Sequence, residues 1–164
     1  MDRFYGFTEG VTQYSMKIIH CVITQRSNLS EPAAGMLELY IERAARYLPC
    51  SHRVFASEDK FLQFASAASG RTRPAIWLTD SRGQQISSDE MASALGTLQD
   101  NGAQQLIVSI GPADGWSLAA LARADRTLAF GRITLPHELA AVVAAEQIYR
   151  ALSIRAGHPY HSGH

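Results

Sequence analysis

The sequence predicts an α/β protein with a mostly parallel sheet flanked by helices. Three observations predict it. Short β-branched, apolar runs bounded by turn residues recur along the chain, as buried strands do. Between them stand segments with apolar residues three and four apart and capping signals at their starts, as amphipathic helices have. Strands that alternate with helices in this way imply parallel pairing, because crossover helices let successive strands run in one direction.

Taken in order, Lys17 to Ile23 reads as a buried strand. Ser30-Glu31-Pro32 reads as a helix start, and Met36, Leu37, Tyr40, Ile41, Ala44 and Leu48 carry the period to about Leu48, where Pro49 ends it. Arg53 to Ala56 is a short strand, and Ser57-Glu58-Asp59-Lys60 caps a helix carrying Phe61, Leu62, Phe64 and Ala65 that Gly70 closes. Ala75 to Leu78 is a strand ending in a loop at Thr79-Asp80-Ser81-Arg82-Gly83. Ser87-Ser88-Asp89-Glu90 starts a helix through Met91, Leu95 and Leu98, closed by Asn101-Gly102. Leu106 to Ile110 is the next strand, Trp116 to Ala122 a helical turn or two, and Thr127 to Phe130 a last short strand. From Pro136 to about Arg155 the pattern is helical, with Leu139, Val142, Val143, Tyr149 and Leu152 on one side, and Gly157 ends it.

Length and composition bound the function. At 164 residues the chain suits one domain, residues 16–164, with residues 1–15 expected to be a flexible extension. Lys plus Arg number 15 and Asp plus Glu number 15, so any basic face for nucleic acid has to come from folding, dimerisation or the histidines. Cys21 and Cys50 are too few for a disulfide framework or a zinc site and read as buried thiols. No segment is apolar enough to span a membrane, and a cytoplasmic location is expected. No Gly-x-Gly-x-x-Gly follows the first strand, so a Rossmann dinucleotide site is not supported.

The chemistry-bearing pieces lie late in the chain. The run Gln105 to Ile110 stops abruptly at Gly111-Pro112-Ala113-Asp114-Gly115-Trp116, where two glycines let the backbone turn and approach a ligand. Arg132-Ile133-Thr134-Leu135-Pro136-His137-Glu138 leads into the last helix, whose first N–H groups point at whatever lies in front of it. Two strand-end loops of this kind suit a small-molecule site in an α/β protein. Glu146 and Arg150 are spaced for a pair on the helix surface, Trp116 reads as core, and His20 and His52 read as structural.

These pieces occur in order with Glu146-Gln147-Ile148-Tyr149-Arg150-Ala151 and His158-Pro159-Tyr160-His161. Together they resemble the RlmH family, the 23S rRNA pseudouridine N3-methyltransferases of the SPOUT (α/β-knot) class. The resemblance is close from Gln105 to His161 and weaker but collinear back to Met16. It implies a C-terminal trefoil knot, which no sequence pattern reveals and which departs from the usual rule of unknotted connections. It further implies S-adenosyl-methionine held at Leu78, at Gly111 and Pro112, and at Gly131, Arg132, Ile133, Thr134, Leu135 and Pro136, with Leu78, Ile133 and Leu135 as an apolar slot for adenine. A homodimer completes the site, and a pseudouridine in helix 69 of the assembled ribosome is the substrate. His158, Tyr160 and His161 are then the groups beside the methyl and the RNA base, as orienting or proton-accepting residues.

The sequence departs from the family at two points. Pro112 stands where a second glycine is usual, removing an N–H donor, and Ser162 follows His161 where a cation is usual, a role that Arg150 or Arg155 could take. Two other readings therefore stand beside the first: a SPOUT methyltransferase on another RNA such as tRNA, and a degenerate knot domain that binds RNA or a ribosome without catalysis.

Overall fold

The structure is a computed structural model that describes residues 16–26, 28–68 and 72–162. The extension at 1–15 and the helix-closing role of Gly70 lie outside the described residues. The elements run β1 (Lys17–Ile23), α1 (Glu31–Ala44), β2 (Cys50–Phe55), α2 (Glu58–Ala67), β3 (Ala75–Gln85), α3 (Ser88–Asp100), β4 (Gln105–Ile110), α4 (Leu118–Arg123), β5 (Arg126–Ala129) and α5 (His137–Arg155). Five parallel strands form one sheet in the order β2-β1-β4-β3-β5.

Alternation along the strands sorts the core into two layers. On one face Ile18, Trp77, Leu106 and Val108 meet Met91 and Leu95 of α3 and Ile148 and Leu152 of α5, while Val22 and Ile110 meet Leu37 and Ile41 of α1. On the other, Ile19, Cys21, Ile76, Leu78 and Ile107 meet Phe61 of α2 and Ala120 of α4. The capping signals act as read: Ser57 accepts from the Lys60 N–H, and Ser87 and Glu90 form a reciprocal capping box.

Four boundaries differ from the sequence reading. Helix α1 stops at Ala44, and residues to Leu48 form tightened turns, because Pro49 disfavours helical backbone in the residue before it. Strand β2 begins at Cys50, earlier than read; it is an edge strand whose Ser51 and Arg53 face solvent, so its polar half carries no strand signal. Strand β3 runs on to Gln85 rather than ending at Leu78, since its pairing with β5 skips residues between Thr79 and Gln84 and then resumes. Trp116 precedes α4 and turns into the core instead of starting the helix, whose cap is Ser117.

Helix α5 departs from the reading in its orientation. Its buried face is Ala141, Ala144, Ala145, Ile148, Tyr149, Ala151 and Leu152, whereas Leu139 is 48% exposed and Val142 and Val143 are only partly covered. Tyr149 and Leu152 face inward as read, and the alanines beside them let the helix approach the sheet closely, while Leu139 is left outward. Strand β5 lies at the sheet edge, yet α5 packs over the central strands β1 and β4 and between α1 and α3. Residues 130–136 therefore carry the chain back over the C-terminal ends of the strands.

Candidate active site

Three strand-end segments converge at those C-terminal ends. They are Thr79 to Arg82 from β3, Ile110 to Trp116 after β4, and the stretch from Leu128 through Gly131 to His137 after β5. Between them lies a cavity of about 760 Å³, within the usual range for a small-molecule site. Each segment is shaped by a specific local cause. After Gly111, the turn is closed by the Gly115 N–H donating to the Pro112 carbonyl at 2.9 Å, with Gly115 at φ +92°. Pro112 thus lacks a donor but presents its carbonyl to the turn.

The second segment is pinned at its end by Trp116. Its indole N–H donates to the Thr79 carbonyl at 2.9 Å and its ring packs on Phe61 with centroids 5.4 Å apart. In the β3 segment, Asp80 accepts from the Arg82 backbone N–H at 2.8 Å and from the guanidinium at 3.0 Å, and that hydrogen bonding holds its carboxyl below the usual range. Helix α5 opens at Pro136, which serves as N-cap rather than first helical residue. Glu138 in that first turn accepts from the backbone N–H and hydroxyl of Ser30, both at 2.8 Å, which ties the start of α5 to the start of α1.

Of the residues expected to hold a cofactor, Gly111, Pro112, Gly131, Ile133, Thr134, Leu135 and Pro136 line this cavity. Leu78 does not: it is fully buried against α2 and α4, and the cavity begins one residue later at Thr79. Arg132 is exposed and points no atom into the lining. The sequence reading missed Thr79, Asp80, Ser81, Arg82, Phe130 and His137 as lining residues; their place at the ends of parallel strands was the available signal.

The tail lies elsewhere. Tyr160 donates its hydroxyl to Glu146 Oε1 at 3.0 Å and packs at a tilt against Tyr149, ring centroids 4.6 Å apart. Burial and the Glu146 carboxylate push the Tyr160 phenol up to about 12. Arg150 donates to Glu146 through Nε at 2.9 Å and Nη2 at 2.6 Å, and its guanidinium lies 4.8 Å from the Tyr160 ring. His161 Nδ1 is 3.1 Å from Arg150 Nη1, and His158 Nδ1 accepts from the Tyr160 N–H at 3.2 Å. Glu146 lies nine residues along α5 from His137, or about 14 Å along the axis. The structure brings His158, Tyr160 and His161 together, but apart from the cavity of their own chain.

Residues 16–161 match the family model described as predicted SPOUT methyltransferase. The chain is 46% identical over 125 residues to the Ribosomal RNA large subunit methyltransferase H of Koribacter versatilis, covering 76% of this chain and 85% of that one. The chain belongs to the SPOUT methyltransferase family. It is also 49% identical over 86 residues to the protein of the same name from Sinorhizobium fredii, spanning 52% of this chain and 54% of that one. In fold, this SPOUT methyltransferase is similar to a probable methylase family protein from Haemophilus influenzae, with a TM-score of 0.54 at 11% identity over 91% of this chain and 71% of that one. Among its described residues no helix is long and apolar enough to cross a membrane, and no group of His, Cys, Asp or Glu could hold a metal ion.

Proposed function

We propose that this SPOUT methyltransferase transfers a methyl group from S-adenosyl-methionine to N3 of a pseudouridine in helix 69 of 23S rRNA, on the assembled ribosome, as a cytoplasmic homodimer. The observation that carries the reading is the convergence of three strand-end loops on one cavity, with the polar tail held about 14 Å away along α5. The cavity fits the cofactor in chemistry as well as size. Ile133 is 69% exposed beside Leu135 and Phe130, an apolar surface suited to an adenine ring. Backbone groups at 111–115 and 131–136 suit its polar edge. S-adenosyl-methionine supplies an activated methyl on a sulfonium when bound there.

The chain's own residues do the rest. Gly111, Pro112, Ile133, Thr134 and Leu135 enclose the donor, and Trp116 keeps the first loop closed on it. N3 of a pseudouridine must lose its proton and approach in line for transfer, so a polar group must stand over the pyrimidine. Because each tail is anchored to the middle of its own α5, the tail that serves a given cavity belongs to a second copy of the chain. The outward Leu139, Val142 and Val143 lie together on the first turns of α5 and give that second copy an apolar surface to cover.

The test is methyl transfer from labelled S-adenosyl-methionine to ribosomes, free 23S rRNA and tRNA, with the product located by mass spectrometry. Transfer to one pseudouridine of ribosomal helix 69 is expected. Transfer to tRNA alone would replace the substrate. No cofactor binding by calorimetry at millimolar ligand would leave the degenerate, RNA-binding knot.

A further inference from the structure

The tail contains three groups that could in principle take a proton, and the structure occupies the basic atom of each. The Tyr160 hydroxyl donates to Glu146. His158 Nδ1 accepts the Tyr160 N–H. His161 Nδ1 faces Arg150 Nη1 at 3.1 Å. A guanidinium has only donors, so at this contact Arg150 donates and Nδ1 is the unprotonated nitrogen. The neutral ring must then carry its proton on Nε2.

Arg150 is well fixed for this. Glu146 Oε1 holds both its Nε and Nη2, and Gln147 Nε2 donates to Oε2 at 2.7 Å, so the carboxylate cannot swing away without breaking several bonds. Both side chains of the pair are only 16% exposed. On the far side of the imidazole, His161 Nε2 lies 3.7 Å from Asp89 Oδ2 of α3, longer than a hydrogen bond, and the Asp89 side chain is 71% exposed. The Nε2–H therefore remains available to a ligand. Arg155, the other candidate cation near the tail, is directed instead onto Gly96 of α3, where its guanidinium occupies the space a Cβ would fill.

We propose that Arg150 is a positioning residue that fixes His161 as its Nε2–H tautomer, so that the tail offers the pyrimidine ring a hydrogen-bond donor for a carbonyl oxygen rather than a base for its proton. This rests on the methyl-transfer reading above. The N3–H proton passes to solvent water, and the donated hydrogen bond lowers the energy of the ring anion that remains, as a preorganised donor does for any developing oxyanion.

Two measurements on the full-length protein test it. Long-range proton–nitrogen correlation spectra of histidine-labelled protein are expected to show His161 as the Nε2–H tautomer in the wild type and in R150K, and as a mixture in R150M. On ribosomes, H161Q, which keeps an N–H donor but cannot act as a base, should retain activity within about tenfold, whereas H161A should lose on the order of a hundredfold. R150M should lower kcat with the KM for S-adenosyl-methionine unchanged, and R150K should restore most of it. An Nδ1–H tautomer in the wild type, a tautomer indifferent to R150M, or H161Q as inactive as H161A overturns the proposal. Absence of any methyl transfer by the wild type overturns the functional reading and the donor role, while the spectra still decide what Arg150 does to the ring.

Discussion

The indole of Trp116 lies directly over Gly111: a Cβ built on the glycine would meet its Nε1 at 2.7 Å and its Cε2 at 2.8 Å. The ring cannot yield readily, because the same Nε1 donates to the Thr79 carbonyl and the ring packs against Phe61. Glycine at 111 is thus required by contact rather than by backbone angle. Gly111→Ala should destabilise the fold by about 1–3 kcal/mol, as overpacking does, and weaken S-adenosyl-methionine binding in calorimetry. Combining it with Trp116→Phe should recover part of the lost stability but not the affinity, since the Thr79 tether goes with the indole. Additive losses in thermal melts would refute the contact.

A second glycine is held by backbone. At Gly83 an added Cβ would come within 2.8 Å of the Leu128 and Thr127 backbone of β5. Here β3 resumes pairing after the Asp80-Ser81-Arg82 excursion. Backbone gives way less readily than a side chain, so Gly83→Ala should loosen the β3–β5 edge. A loss of about 1–3 kcal/mol in denaturant unfolding, with faster amide exchange at Leu128 and Ala129, is the expected result.

How much of this was legible depends on burial. Strands β1 and β4 are central and covered on both faces, so Ile18 to Ile23 and Leu106 to Ile110 are apolar apart from His20 and Ser109 and visible as strands. The polar half of β2 and the continuation of β3 carried no such signal, because edge positions and the cavity wall are free to be polar. The same cause hid Thr79 to Arg82 as site residues and led to Leu78, whose side chain the pleat turns into the core. Gly-Pro-x-x-Gly and the Pro136 helix start were legible because turn chemistry is local. The inward face of α5 was legible in part: Tyr149 and Leu152 are inside as read, but the alanines take the rest of that face and Leu139 is outside, which size and hydrophobicity do not suggest.

The buried histidine pair makes stability depend on pH. His20 Nε2–H donates to the Ala141 carbonyl at 2.9 Å, so its Nδ1 accepts the Nδ1–H of His52 at 2.8 Å, with both rings neutral. Burial lowers His20 to about 3, with the neighbouring His52 adding to the shift, and burial lowers His52 as well. Unfolded, both rings would take up a proton below their usual value near 6.5. The unfolded state binds more protons there, so the contribution is fully present above pH ~6.5 and declines as pH falls below it, for His20 down to about 3. Urea unfolding should show stability falling below pH ~6.5 by up to about 1.4 kcal/mol per pH unit for each ring. His20→Leu should flatten that slope while lowering stability at pH 7.5; an unchanged slope would exclude the pair as its source.

The outward stripe of α5 leads to a prediction about assembly. Leu139→Glu and Val143→Glu place charge on the apolar face without touching Ala141, Ala144 or Ile148 beneath it. Like charges on a surface that meets its own copy repel and lose their solvation, so either variant should run as a monomer in light scattering. Calorimetry should show S-adenosyl-methionine still bound, because the cavity at Gly111 and Leu135 is built from one chain, while methyl transfer to ribosomes should be lost. The loss should be repaired by mixing where the interface is intact. A His161→Ala chain and a Gly111→Ala chain, each inactive alone, should recover activity when co-refolded, since one supplies a sound cavity and the other a sound tail. No recovery on mixing, or full activity from a monomer, would mean that each chain uses its own tail and that α5 bends to bring it there.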